Sequence, residues 1–190
     1  MLVVATRPST ILTDAFGPWR HAGGKAPTIT LLLRRSTDGG RTWRATHFDV
    51  TRKNAAENYD VVADPRSPTT LYAAVDTRIF MSSDAGQTWH VFGQRLPQNG
   101  RITSLAAGAG TVYAALGKNG IYESDDGGKA WTRSWPQSGP PPGLGVSIVA
   151  TDPARPTTVY ASAYYPDPNR DTGTHILRST HRGHTWSVVG

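Results

Sequence analysis

The chain has no cysteine among its 190 residues, so disulfides and thiolate metal sites are excluded whatever the compartment. No apolar run approaches the ~20 residues that a membrane-spanning helix needs. Met1-Leu2-Val3-Val4-Ala5-Thr6 is too short for the apolar region of a signal peptide, and Arg7-Pro8 follows at once, so no signal peptide is visible. Charge is sparse: 18% of residues are charged against 37% hydrophobic, which suits a β-rich globular chain better than a disordered one. The net charge is +6, from sixteen Arg and four Lys against fourteen acids. Without a basic run interleaved with aromatics, that excess reads as solubility and gives no nucleic-acid surface. No phosphate loop, dinucleotide fingerprint or Ser/His/Asp order occurs, so no cofactor is expected.

What the chain does have is one octapeptide four times over. It runs Ser36-Thr37-Asp38-Gly39-Gly40-Arg41-Thr42-Trp43, then Ser82-Ser83-Asp84-Ala85-Gly86-Gln87-Thr88-Trp89, then Ser124-Asp125-Asp126-Gly127-Gly128-Lys129-Ala130-Trp131. The last copy, Ser179-Thr180-His181-Arg182-Gly183-His184-Thr185-Trp186, has His181 in place of the acid. The Trp residues lie 46, 42 and 55 apart, a period that marks a repeat fold with one supersecondary module per unit. Ser and Asp can turn back onto nearby N–H groups, and Gly supplies the positive φ of a tight turn. Thr-Trp then re-enters a strand. Ser36, Asp38, Gly40 and Trp43, with Ser82, Asp84, Gly86, Trp89, Ser124, Asp126, Gly128, Trp131, Ser179, Gly183 and Trp186, are therefore structural, the Trp residues packing between units.

Each octapeptide follows two apolar runs. In the second unit these are Tyr59–Ala63 and Thr70–Val75, joined by Asp64-Pro65-Arg66-Ser67-Pro68-Thr69. Arg78–Ser82, the octapeptide and Thr88–Phe92 complete four short strands, A to D, with turn chemistry between them. The fourth unit repeats the A–B corner as Asp152-Pro153-Ala154-Arg155-Pro156-Thr157. In the first unit Leu2–Thr6 aligns with the B strands, so that unit is expected to lack its inner A strand.

The repeated octapeptide resembles the Asp-box, or BNR repeat, of β-propellers such as sialidases, sortilin, xyloglucan-cleaving glycosidases and a photosystem II assembly factor. The resemblance implies an all-β propeller of four-stranded antiparallel blades, a single domain over 1–190 with blades at about 1–46, 47–93, 94–134 and 135–190. Four blades is the low end for a closed ring. A truncated larger propeller, a small ring with an open seam and a homodimer that completes one propeller all remain open. An exported or periplasmic location is implied by the family alone.

Strand alternation places the A–B and C–D turns at one end of every blade and the variable B–C and D–A loops at the other, where function is usually grafted. The first B–C connection is read from Arg7 to about Thr28 and carries Asp14, Trp19, Arg20 and His21. The fourth carries Tyr164, Tyr165, Asp167, Arg170 and Asp171. The D–A loops add His47, Asp49, Arg52, Lys53 and Glu57, then Arg95 and Asn99, then Trp135. Flat aromatic faces with amide and Arg groups around them suit a glycan or a protein ligand.

A glycosidase needs two carboxyl groups facing one cleft, roughly 5–9 Å apart. The box acids and the corner acids Asp64 and Asp152 stand at the wrong end. Asp60 begins an inner strand, nearest the axis, and is the best catalytic candidate, followed by Asp49, Glu57 and Asp171. No motif pairs any two of them. The early Phe-Arg-Ile-Pro type motif of sialidases is absent, nothing marks three of Arg20, Arg52, Arg95, Arg101 and Arg170 as their arginine triad, and xyloglucan-type enzymes use two facing propellers with one acid from each. His175, His181 and His184 read as a drifted turn with no metal site. The sequence therefore favours a non-catalytic binding or assembly module, with a sialidase- or xyloglucanase-type glycosidase, as part of a larger or multimeric enzyme, as the alternative.

Overall fold

The computed structural model describes residues 3–7, 10–16, 28–53, 59–96, 100–138, 143–165 and 173–189. Among them are sixteen strands and no helix. The first sheet holds β1 (Val3–Arg7), β2 (Thr10–Phe16), β3 (Thr28–Ser36) and β4 (Arg44–Lys53). The second holds β5 (Tyr59–Asp64), β6 (Ser67–Val75), β7 (Arg78–Ser82) and β8 (His90–Val91). The third holds β9 (Ser104–Gly108), β10 (Thr111–Ala115), β11 (Ile121–Ser124) and β12 (Thr132–Trp135). The fourth holds β13 (Gly145–Asp152), β14 (Arg155–Tyr165), β15 (Gly173–Ser179) and β16 (Ser187–Val188). Each sheet is an antiparallel meander in chain order, which is a propeller blade.

Two expectations about the first unit are corrected. The first blade does not lack its inner strand: Val3–Arg7 pairs with Thr10–Phe16, so β1 occupies the A position and β2 the B position. The corner between them lacks the Asp-Pro pair that marks the second and fourth corners, which hid the register. Asp14 accordingly lies in a strand, opposite Leu33, and not in a B–C loop. His47, Asp49, Arg52 and Lys53, expected in a D–A loop, belong to the ten-residue β4, so the first blade extends past residue 46.

The core lies between the blades. Leu71-Tyr72-Ala73-Ala74-Val75 is buried at every position because both faces of its sheet are covered, which replaces alternation by a continuous apolar run. Leu71, Ala73 and Val75 face the first blade with Leu33 and Phe48. Tyr72, Ala74 and Ile79 face the third blade with Leu105, Val112 and Ala114. Tyr113, Ala115 and Ile121 in turn face the fourth with Val149, Val159, Ala161 and Leu177. Each later box Trp packs against the preceding blade: Trp89 on Phe48 with ring centroids 5.2 Å apart, Trp131 on Phe92 at 6.4 Å, and Trp186 donating from Nε1 to Ser134 Oγ at 3.1 Å.

The boxes show how eight residues close a turn. Ser82 Oγ donates to Asp84 Oδ1 at 2.8 Å and accepts from Gly86 N at 2.8 Å. Asp84 accepts from Thr88 N at 2.9 Å and from Thr88 Oγ1 at 2.6 Å. The first box repeats this set with Ser36, Asp38, Gly40 and Thr42. The third lacks the Thr hydroxyl, since Ala130 offers only its N–H to Asp126, at 3.1 Å. The fourth lacks the acid and keeps the Ser179 bond to Gly183 N at 2.9 Å.

Candidate functional site

The first strands of the second, third and fourth blades lie side by side and form one concave surface. A groove of about 380 Å³ on it is lined by Asp60, Val62, Leu105, Ala107, Val149 and Thr151, with small and proline residues around them. Asp60 is the one carboxyl among its lining residues. It stands at the second position of β5, opposite Ala74, because Tyr59-Asp60-Val61-Val62 enters the strand with its apolar residues already committed to the sheet faces. Its Oδ2 accepts from Leu105 N at 2.7 Å, so a side chain of one blade takes up a backbone donor of the next. Burial pushes the Asp60 carboxyl above the ordinary range, and the donors from Leu105, Ser104 and Val61 only partly pull it back. A carboxyl of this kind keeps a proton further toward neutral pH than a solvated Asp, which a general acid requires.

Two further ties hold this surface. Thr103 Oγ1 donates to Val146 O at 2.8 Å, and Thr151 Oγ1 donates to Ala107 O at 2.7 Å. The groove floor is therefore fixed by hydrogen bonds at both blade boundaries it crosses.

The other candidates are scattered. Trp135 closes β12 and lines a separate outer groove of about 440 Å³ with Pro136, Gln137, His184 and Trp186. Arg95 is exposed after β8, and Tyr164 is exposed near the end of β14. None of these three lines the Asp60 groove. Asp49, Arg52 and Tyr165 have their backbone in strands, with side chains outside the described residues. Trp19, Arg20, His21, Glu57, Asn99, Arg170 and Asp171 lie outside the described residues altogether.

Sequence reasoning missed a second polar cluster, between the third and fourth blades. Glu123 Oε1 lies 3.5 Å from His184 Nδ1, with the Glu123 side chain 12% exposed and the His184 ring 70% exposed. Burial raises the Glu123 carboxyl, against the pull of His184 and the Ser134 hydroxyl. Glu123 stands where the second blade has Met81, so a comparison of the units position by position would have singled it out. Among the described residues no three or more His, Cys, Asp or Glu side chains group closely enough to hold a metal ion. No described helix is long and apolar enough to cross a membrane.

Comparison with known proteins adds family and scale. The BNR/Asp-box repeat model matches residues 34–45. A probable oligoxyloglucan-reducing end-specific xyloglucanase of Neosartorya fischeri is 28% identical over 159 residues, 81% of this chain and 19% of that protein. The oligoxyloglucan-reducing end-specific xyloglucanase of Emericella nidulans is 28% identical over 147 residues, 68% of this chain and 17% of that protein. The chain thus spans less than a fifth of the length of the curated relatives it matches. Among solved structures, the GH74 enzyme of Niastella koreensis superposes with a TM-score of 0.66 at 15% identity, over 98% of this chain and 29% of that one. The GH74 xyloglucanase of Xanthomonas campestris gives 0.61 at 18%, over 95% of this chain and 36% of that one. At such identities these structures establish the propeller fold and nothing finer. Taken with the sequence relatives, the chain is similar to the propellers of glycoside hydrolases.

Proposed function

We propose, starting from a chain that is an Asp-box (BNR) repeat β-propeller, that it supplies one wall of a glycoside hydrolase cleft for xyloglucan-type oligosaccharides. Its sequence relatives are named as xyloglucanases, and this supports the enzyme reading over the binding-module reading that the sequence alone put first. The observation that carries it is Asp60, a carboxyl with a raised pKa on the concave inner-strand surface. In this reading Asp60 is the general acid that protonates the departing glycosidic oxygen. The second carboxyl of the pair comes from outside the Asp60 groove, across the cleft. The Thr103 and Thr151 ties keep the groove floor from relaxing as the substrate binds.

The test is incubation of the purified protein, as the whole assembly in which both walls of the cleft are present, with xyloglucan oligosaccharides, following both binding by calorimetry and release of new reducing ends. Hydrolysis is expected, with Asp60→Asn lowering kcat by about 100-fold or more, the usual worth of a positioned acid, and KM little changed. Binding without hydrolysis, unaltered by Asp60→Asn, would instead establish the glycan-binding module. Neither binding nor hydrolysis would sink both.

A further inference from the structure

From two arginines that stand directly opposite each other with no described acid beside them, we infer that the crevice between the first and second blades binds an oxyanion: a phosphate, sulfate or carboxylate group. This goes beyond the glycosidase reading and does not depend on it, since the crevice and the Asp60 groove share no lining residue.

In every described blade the residue before the box Ser and the residue after the box Trp are partners across the third and fourth strands. They are Met81 with His90 in the second blade, Glu123 with Thr132 in the third, and Arg178 with Ser187 in the fourth. In the first they are Arg35 and Arg44. Like charges directly opposite each other destabilise a sheet, and arginine does not shed its charge to avoid them. Nothing described offsets the repulsion. Neither arginine forms an ion pair among the described residues. Arg35 is half-buried, and its Nε is shielded from solvent with no hydrogen-bond partner. Asp38, the acid nearest in sequence, is taken up within its own box by the Ser36 hydroxyl and by the N–H and hydroxyl of Thr42.

The two arginines line a crevice of about 320 Å³, within the size range of ligand pockets. None of its described lining residues is acidic. The walls are held at a fixed distance, because His47 N on β4 donates to Gln87 O in the second box at 3.0 Å. Thr46 Oγ1 gives its proton to Leu33 O and Thr42 Oγ1 gives its own to Asp38 Oδ2, so these hydroxyls shape the wall. The donors left for a ligand are the two guanidinium groups, the Thr37 hydroxyl and the Gln87 amide. A guanidinium fork meets an oxyanion with two N–H groups at once. An oxyanion between Arg35 and Arg44 therefore replaces one repulsion with two attractions and gives the buried Arg35 Nε its acceptor.

The experiment is calorimetry on the purified whole protein with sodium phosphate, sodium sulfate and an oligogalacturonide, each compared with sodium chloride at the same ionic strength. Saturable binding of at least one probe is expected, with a rise in Tm that chloride does not give. Arg35→Met and Arg44→Thr place at each position the residue that the second or third blade has there, and each should weaken that binding about tenfold or more. Binding of phosphate or sulfate alone assigns the site to a phosphorylated or sulfated ligand, and binding of the oligogalacturonide alone to an acidic glycan; either upholds the site. The inference is overturned if no probe binds beyond chloride. It is equally overturned by binding that neither variant weakens, which is an adventitious ion only. Should Arg35→Met not fold, the exposed Arg44 decides through Arg44→Thr alone. Xyloglucan cleavage should be the same in parent and variants, which keeps a failure here distinct from a failure of the Asp60 reading.

Discussion

The Asp60 carboxylate accepts a hydrogen bond from the Leu105 N–H at 2.7 Å, across the boundary between the second and third blades. One atom thus serves two ends, binding neighbouring inner strands together and presenting an acid to the groove. The two uses separate by substitution. Asp60→Asn keeps an acceptor for Leu105 and should cost less than about 1 kcal/mol. Asp60→Ala leaves the buried donor unpaired and should cost about 1–3 kcal/mol. Urea unfolding of both variants checks this, and equal losses would show that the tie to Leu105 contributes nothing.

The fourth box invites repair. His181 stands where the first two boxes have an acid that accepts from both the N–H and the hydroxyl of a Thr four residues on. Thr185 is in that place in the fourth box. His181→Asp should therefore stabilise the chain by about 0.5–1.5 kcal/mol. For a chain of this size about 1 kcal/mol raises Tm by about 2–4 °C. Asp84→Ala should shift Tm the other way, and calorimetry of the two variants side by side reads both.

Acid should loosen the boxes before it affects the rest. The Thr42 hydroxyl and N–H and the Ser36 hydroxyl hold the Asp38 carboxyl down to about 2. At Asp84 burial pushes upward, but the Thr88 and Ser82 donors outweigh it and the carboxyl also falls to about 2. A carboxyl depressed by folding adds stability above its unfolded value, about 3.9, and loses it as pH falls toward 2. Stability should therefore drop between pH about 4 and about 2, and Asp38→Asn with Asp84→Asn should flatten that slope. An unchanged acid limb in the double variant would refute the assignment.

Glu123 has the opposite sign. Burial raises its carboxyl, so the folded form is favoured below the unfolded pKa and that advantage fades as pH rises through the folded value. Glu123→Gln removes the cost of a buried charge and should raise Tm at pH 7 by about 2–4 °C, if the gain is about 1 kcal/mol. A lower Tm would mean that the exposed His184 outweighs burial.

Gly183 and Gly39 both have positive φ, at +85° and +71°, yet only one is crowded. A Cβ on Gly183 would meet Glu123 Oε2 and Ser134 Oγ at 2.5 Å, while one on Gly39 meets nothing within 4 Å. Gly39→Ala should cost about 1–2 kcal/mol, from backbone strain alone. Gly183→Ala should cost more, because the Glu123 and Ser134 side chains at the boundary between the third and fourth blades must shift to admit the methyl group. Chemical denaturation of the pair isolates the contribution of the seam.

Much of the fold was legible because its signals are local. The boxes carry their own turn chemistry within eight residues, and the Asp-Pro corners at Asp64 and Asp152 announce the A–B turns through bonds to Arg66 N and Ala154 N. The first blade was misread where that signal is missing, and β4 was cut short because its polar residues, His47 to Lys53, look like a loop. Asp60 could be singled out from its place at the head of an inner strand. Its partner Leu105 could not, since it lies 45 residues away and donates through its backbone, which no side-chain pattern records. The contact between Glu123 and His184 escaped for a related reason: the box that brings His184 there reads as a degraded turn, and the acid facing it belongs to another unit.

Every described sheet is completed by four strands that follow one another in the chain, and none borrows a strand from a distant part of the sequence. Short loops close first in folding, and proteins rich in local contacts fold fastest. The strands of each blade can thus pair locally on leaving the ribosome, while the core, which lies between blades, forms only as the next blade docks. Tyr113, Ala115 and Ile121 are fully buried because the third blade is covered on both faces, and in such an array order can start at any pair of blades and spread to its neighbours. The same arrangement lets the gene gain or lose whole blades by duplication without altering the hydrogen bonding of those that remain.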